Sequence, residues 1–258
     1  MKHTFRQASL PGYDLGDYVR ESIDFLRTHE PEEGYFVGFS GGKDSITTLA
    51  LCRLAGVKHQ AFYSCTRIDP PEVMRFIRRE YPAVTWLYPN ASFWALIQRK
   101  MPPMRTQRWC CDLLKKAPSK DVPLKYRLMG IRAEESSRRA NRPRIDHYRS
   151  DQVLLKPIFL WPEWAVWEFI DSQRLAYPSL YDEDFARIGC VVCPFIFANE
   201  KKRRTSMERW PGVWRVFEHA VKRWWHNERK GDFCATADAF WEAYIRGGKL
   251  DGETSHEQ

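Results

Sequence analysis

The stretch Tyr35-Phe36-Val37-Gly38-Phe39-Ser40-Gly41-Gly42-Lys43-Asp44-Ser45 decides the fold class. Its first five residues form a short apolar run suited to a buried strand. Two glycines break the run. From Ile46 to Ala55 the residues Ile46, Leu49, Ala50, Cys52, Arg53 and Leu54 fall at helical spacing, and Gly56 is a C-terminal stop. Strand, glycine turn and helix together make an anion site. Adjacent glycines let the backbone approach a phosphate and turn N–H groups toward it. The helix adds the partial positive charge of its N-terminus. Lys43 brings a full charge, and Ser40 and Ser45 bring hydroxyls. Asp44 would repel a bare phosphate, so it fits a Mg²⁺ contact or a helix cap. The spacing is not that of the Walker loop, which needs four residues between its first glycine and its Gly-Lys pair. A tight turn before a capped helix is the plain alternative, and the Lys-Asp-Ser beside the glycine pair outweighs it.

Working outward, residues 14 to 29 read as a helix with Leu15, Val19, Ile23 and Leu26 on one stripe. His59 to Ser64 reads as a second strand. Pro70-Pro71 opens a helix to about Arg79, and Val84 to Tyr88 reads as a third strand. Arg127 to Ile131 and Leu154 to Phe159 are further strand candidates. This alternation predicts an α/β fold: a Rossmann-like open, mainly parallel sheet with flanking helices. Ligands of such sheets sit at the carboxyl ends of the strands, where Ser40 to Ser45 and Arg132 both fall. Beyond Pro162 helical patterns dominate, around Trp164 to Ile170, Trp210 to Trp225 and Ala235 to Arg246. The expected division is therefore a nucleotide-binding domain over 1–160 and a mainly helical C-terminal region over 161–258.

The 258 residues are 43% hydrophobic, enough for a core, and the 16 prolines and 14 glycines fit a turn-rich globular chain. The eleven tryptophans read mostly as helix-packing core. A net charge of +8 suggests polyanionic partners, either nucleotides or a nucleic acid. No run approaches the roughly 18 apolar residues of a membrane span, and Met1 to Arg6 lacks an apolar signal core. A cytoplasmic protein without membrane contact is the expectation.

Seven cysteines in such a chain point to metal or redox chemistry rather than a disulfide scaffold. Cys110 and Cys111 are adjacent. Cys190-Val191-Val192-Cys193-Pro194 follows after 78 intervening residues. Four thiolates suit a [4Fe–4S] cluster. Directly adjacent ligands suit a single tetrahedral zinc less well, which makes zinc the second choice. Buried free thiols or a redox-active Cys190–Cys193 pair are the plainer readings. Cys52 reads as core, and Cys65 and Cys234 have no assigned role. Arg138-Arg139, Arg142 to Arg144 and Lys201-Lys202-Arg203-Arg204 are basic segments of the kind that is usually solvated surface. They flank the proposed ligand elements, so tRNA or DNA could lie across them. Arg132 is a lone arginine at a strand end, suited to bidentate phosphate binding. Glu134 and Glu135 could hold a metal or pair with the arginines, and His147 carries no assigned role.

These residues carry a family resemblance. Ser40-Gly41-Gly42-Lys43-Asp44-Ser45 resembles the pyrophosphatase loop of the adenine-nucleotide alpha hydrolases, and more narrowly that of the phosphoadenosine phosphosulfate reductase-like family. Gly130-Ile131-Arg132-Ala133-Glu134-Glu135-Ser136 resembles that family's second ligand-side motif. Lys156-Pro157-Ile158, Trp161 and Trp164-Ala165-Val166-Trp167 resemble its Pro-x-x-x-Trp helix start. The cysteine set is similar to that of iron–sulfur adenylylsulfate reductases and of cluster-bearing DNA phosphorothioation enzymes. Together the segments cover roughly residues 30 to 200. Where the family often has Asp-Thr-Gly after its second strand, this chain has Cys65-Thr66-Arg67, which leaves the adenosine contacts open. Members that split ATP between its α and β phosphates keep Ser-Gly-Gly-x-Asp-Ser.

The resemblance therefore implies an ATP·Mg²⁺-binding enzyme that adenylates an acceptor, with Lys43, Asp44 and Arg132 catalytic. Cys110, Cys111, Cys190 and Cys193 would be cluster ligands in a sulfur transfer fed by a sulfur-donor protein. The reductases also carry a Glu-Cys-Gly-Leu-His tail, which Gly252 to Gln258 does not match. A sulfonucleotide reductase using an external thiol, and a non-enzymatic nucleotide-regulated nucleic-acid-binding module, are the alternatives.

Overall fold

The computed structural model describes residues 13–148, 152–183, 185–228 and 234–247. Met1 to Arg6 and Gly252 to Gln258, on which two of the expectations above rest, lie outside the described residues. In chain order the main elements are α1 (Leu15–Thr28), β1 (Tyr35–Gly38), α2 (Lys43–Ala55), β2 (His59–Ser64), α3 (Pro71–Glu80), β3 (Thr85–Leu87) and α4 (Phe93–Arg99). Then come β4 (Tyr126–Met129), α5 (Ser137–Ala140), β5 (Ile145–Tyr148), β6 (Gln152–Leu155), α6 (Glu163–Ser172), α7 (Pro194–Phe197), α8 (Glu200–Arg209), α9 (Pro211–Glu228) and α10 (Ala237–Ile245).

The chain forms two compact units interleaved along the sequence, the first from Met1–Ser64, Pro71–Leu87 and Asp121–Ile188, the second from Cys65–Pro70, Tyr88–Lys120 and Gly189–Gln258. The first unit runs past residue 160 because α6 packs on α1 and α2. One of these contacts is Trp164 against Tyr18, with ring centroids 5.9 Å apart.

The first unit is the expected sheet with its helices. Its strand order is β3-β2-β1-β4-β6-β5, and every pairing is parallel except β5 with β6. The strand connections run outward from β1 in both directions, so the switch point lies between β1 and β4. β1 is buried along Tyr35, Phe36 and Val37, as its apolar run requires. α2 buries ten of its thirteen residues and ends at Gly56, whose φ of 68° forms the expected left-handed stop.

α1 starts in a reciprocal cap. Asp17 N–H donates to Asp14, and Asp14 N–H donates to Asp17. Its deepest line is Tyr18, Ser22 and Leu26, which keeps Leu26 of the expected stripe and replaces Val19 and Ile23 by the residues one position before them. Ser22 tolerates full burial because its hydroxyl donates to Pro157 O at 3.0 Å and accepts from Trp161 Nε1 at 2.9 Å.

The strands differ from expectation in extent and in number. The last strand ends at Leu155 rather than Phe159, since Pro157 has no N–H to give a ladder. The antiparallel β5 was not expected; it is a short edge strand, and its His147 is exposed.

The second unit is helical and aromatic-cored. Phe93, Phe197, Trp214, Phe217, Trp241 and Tyr244 are buried in it. Phe217 stacks on Phe93 at 5.8 Å and meets Trp241 edge-on at 5.6 Å. Most tryptophans are the packing residues they were read as. Among the described residues no helix is long and apolar enough to cross a membrane.

Candidate functional site

The loop between β1 and α2 is fixed by glycine and serine. Gly41 has a φ of 72°, and a Cβ there would lie 3.1 Å from Ile77 and from Val73 of α3. The Ser45 hydroxyl is buried inside the loop. It donates to Gly42 O at 2.8 Å and accepts from Ser40 N at 3.1 Å and Ser40 Oγ at 3.2 Å. Ser45 is thus a brace of the loop, while Ser40 stands exposed at its rim. Gly42 caps α2 without a side chain. Among the described residues the N–H groups of Gly41 and Asp44 have no hydrogen-bond partner, so they remain available to an anion.

Lys43 is placed differently from a free phosphate-binding lysine. Its side chain is 5% exposed, and Nζ lies 3.1 Å from Glu163 Oε1, 3.4 Å from Ala186 O and 3.9 Å from Asp44 Oδ2. The rings of Trp167 and Tyr181 sit 5.9 and 5.5 Å away. The Lys43 N–H donates to Tyr181 Oη at 3.0 Å. Burial pushes the Tyr181 hydroxyl's pKa well above the usual tyrosine range, so this acceptor stays protonated. Glu163, Trp167 and Tyr181 were not singled out from the sequence. Trp167 lay within a recognised motif, but no local pattern points to Tyr181.

Arg132 and Asp44 meet as the topology requires. Arg132 Nε donates to Asp44 Oδ1 at 2.7 Å, and Nη1 donates to Glu134 Oε2 at 2.5 Å. Arg132 is 4% exposed and Asp44 20%, so the arginine backs the carboxylate and the carboxylate faces outward. Glu134 also accepts from Glu163 N at 2.7 Å, while Glu135 accepts from Arg132 N and pairs with Arg139. One network therefore joins Lys43, Asp44, Arg132, Glu134 and Glu163. Gly130 makes this junction possible, because a Cβ there would stand 2.5 Å from Asp44 O.

Of the basic segments in this unit, Arg144 pairs with Glu21 and covers the Phe25 ring at 3.8 Å, and Arg142 lies 3.5 Å from Asp146. Arg144 is a packing residue.

The second unit holds all four expected cysteine ligands. Cys110 lies within electrostatic reach of Cys111, Cys190 and Cys193. Its thiol donates to the Cys111 sulfur, which raises the pKa of Cys110. That hydrogen bond, with Lys115 and Arg108, lowers the pKa of Cys111 below the usual thiol range. Burial pushes Cys190 up to about 12, against the opposing pull of Lys115. The Cys190 thiol donates to Asp69 Oδ1 at 3.7 Å, and Thr66 Oγ1 lies 3.8 Å from it. Thr66 N–H and O–H both donate to Asp69 Oδ2, so the Cys65-Thr66-Arg67 departure forms a turn beside Cys190.

Cys111 opens a π-helical stretch to Lys116, a wide turn common at functional sites. Lys115 and Asp69 were missed, although the four-residue spacing of Lys115 from Cys111 was a usable signal. Four soft sulfur donors with a nearby ammonium fit an iron–sulfur or zinc site. Among the described residues no three His, Cys, Asp or Glu side chains are drawn together tightly enough to hold a metal ion as they stand. Cys52 is fully buried and pushed up to about 12, as a core thiol should be.

Comparison with known proteins agrees with the fold of the sheet and its helices. Structural similarity extends to a phosphoadenylyl-sulfate reductase from Candida auris, with a TM-score of 0.52 and 17% identity over 70% of this chain and 96% of that one. It also extends to an FMN adenylyltransferase from Candida glabrata, solved with FAD and inorganic pyrophosphate. There the TM-score is 0.50 and the identity 13%, over 71% of this chain and 67% of that one. An uncharacterised protein of Methanocaldococcus jannaschii is 29% identical over 84% of this chain and 48% of its own length. An adenosine 5′-phosphosulfate reductase of Staphylococcus haemolyticus is 32% identical over 36% of this chain and 40% of its own. The chain spans about half the length of the curated relatives it matches over most of its own length. The family model of the phosphoadenosine phosphosulfate reductase domain matches residues 34–195, and the chain belongs to that family.

Proposed function

We propose that the chain is an ATP pyrophosphatase that adenylates an acceptor in an iron–sulfur-dependent sulfur transfer. The observation that carries this reading is the complete Ser40-Gly41-Gly42-Lys43-Asp44-Ser45 loop at the switch point, with the Gly41 and Asp44 N–H groups open. These donors and the α2 N-terminus receive the phosphates of ATP. Asp44, held outward by Arg132, takes Mg²⁺, which offsets phosphate charge. Lys43 exchanges Glu163 for the leaving pyrophosphate. The acceptor oxygen attacks the α-phosphorus, the bond to the β-phosphate oxygen breaks, and pyrophosphate leaves. Sulfide-level sulfur from a donor protein then displaces AMP, a C–S bond replacing the C–O bond.

Cys110, Cys111, Cys190 and Cys193 would hold a [4Fe–4S] cluster, with zinc as the second choice; when bound, the cluster carries or positions that sulfur. The test is release of pyrophosphate and AMP from ATP by anaerobically purified protein across a panel of acceptors. Silence with every acceptor, despite a loaded cluster, would sink the reading.

The partial match to adenosine 5′-phosphosulfate reductases favours a second reading, sulfonucleotide reduction with an external thiol. Sulfite release from adenylylsulfate or its 3′-phosphorylated form identifies it.

A further inference from the structure

The net charge of the chain is not shared between its units. The first unit carries 21 Lys and Arg against 21 Asp and Glu, and the second carries 20 against 12, the whole of the +8. Exposed aromatic rings gather there too. Three of the exposed large hydrophobic side chains are aromatic, and two of these, Tyr88 and Phe195, belong to the second unit. Each is faced by guanidinium. Arg67 lies over Tyr88 at 5.7 Å, while Arg105 and Arg108 lie over Phe195 at 5.6 and 5.1 Å. Arg105 and Arg108 are themselves exposed. Phe195 follows Cys193 by two residues, and Arg108 precedes Cys110 by two. α8 then presents exposed Lys201, Lys202 and Arg204.

A half-exposed ring with two exposed guanidinium groups within 6 Å of its centre is poor core and a good platform for an unpaired base. Bases stack on aromatic faces and on arginine planes, while neighbouring lysines and arginines neutralise the phosphates. A duplex keeps its bases stacked on one another and offers no such face. We propose that the second unit binds a single-stranded nucleic-acid segment, with a base stacked at Phe195, Arg105 and Arg108 and the backbone drawn to the α8 cations. This names the acceptor class of the sulfur-transfer reading and rests on that reading for its chemistry, though not for the binding itself.

Fluorescence anisotropy of the full chain with labelled oligonucleotides of about 16 nucleotides tests it, in RNA and DNA arms, beside a hairpin duplex of equal length. The single strand should bind at least ten-fold more tightly than the duplex, and a preference for either sugar identifies the source. Phe195→Leu should weaken binding roughly five- to hundred-fold, the effect of losing one stacked base, with the salt dependence unchanged. Phe195→Trp should retain binding, which separates loss of the ring from misfolding. Replacing Lys201, Lys202 and Arg204 by Gln should instead flatten the salt dependence, by about 0.7 in log–log slope per lost phosphate contact. Binding by Phe195→Leu equal to that of the unchanged protein would overturn the proposal. So would equal affinity for the duplex, or displacement by heparin as effective as by unlabelled oligonucleotide of equal charge. The assay contains no ATP, so its failure leaves the pyrophosphatase reading standing. Ring-dependent binding without pyrophosphate release would sink that reading alone.

Discussion

Lys43 keeps its ammonium 3.1 Å from Glu163 and over the Tyr181 ring, so a nucleotide must compete for it. Two substitutions then act in opposite directions. Glu163→Gln removes a half-exposed competitor whose ion pair amounts to ~1 kcal/mol or less, and should tighten ATP binding up to about five-fold by calorimetry. Lys43→Met should lower pyrophosphate release by about 10²–10³, the usual loss for one transition-state donor, while shifting the unfolding midpoint little. A Lys43→Met enzyme with full turnover would reduce Lys43 to a strut between α2 and α6. Arg132 is held by separate bonds to Asp44 and Glu134, which a lysine cannot reproduce. Arg132→Lys should therefore leave Asp44 unanchored and weaken the Mg²⁺ dependence of turnover. The sequence marked Lys43 but not its orientation, because the partners that turn it, Glu163 and Tyr181, lie more than a hundred residues along the chain.

Between elements, the decisive contact is the abutment of β4 on the start of α2. Gly130 leaves room for the Asp44 carbonyl, and a methyl there would stand 2.5 Å from it. Gly130→Ala should cost about 1–3 kcal/mol of stability, read as a lower denaturant midpoint with unchanged slope, and should weaken ATP binding by displacing the Gly41–Asp44 donors. Unaltered binding and stability would mean that this junction is soft. The central parallel strands were legible because apolar runs bounded by glycine and proline have few other uses. β5 was not: Ile145-Asp146-His147-Tyr148 is polar enough to read as loop, and only its pairing with β6 makes it a strand. Gly56 was legible because its left-handed stop is a local demand of the backbone.

At the scale of the molecule, the cysteines showed both what sequence can give and where it stops. Four thiols were identified by their spacing, and the structure brings all four into one unit. The interleaving of the units was hidden, because residues 65–70 and 88–120 leave the first unit only through tertiary packing. Anaerobic purification should yield ~4 iron and ~4 sulfide per chain, lost together in a Cys190→Ser, Cys193→Ser double variant. A colourless protein carrying zinc would reject the iron–sulfur assignment while leaving the nucleotide loop untouched.

The central claim is that the Ser40 to Ser45 loop splits ATP between its α and β phosphates. The most direct measurement incubates cluster-loaded protein with ATP labelled separately at the α and γ phosphates, together with candidate acceptors. The account predicts labelled pyrophosphate from the γ position and labelled AMP or adenylate from the α position, both lowered about 10²–10³-fold in Lys43→Met. Release of inorganic phosphate with ADP, or inert ATP beside sulfite released from a sulfonucleotide, would contradict it.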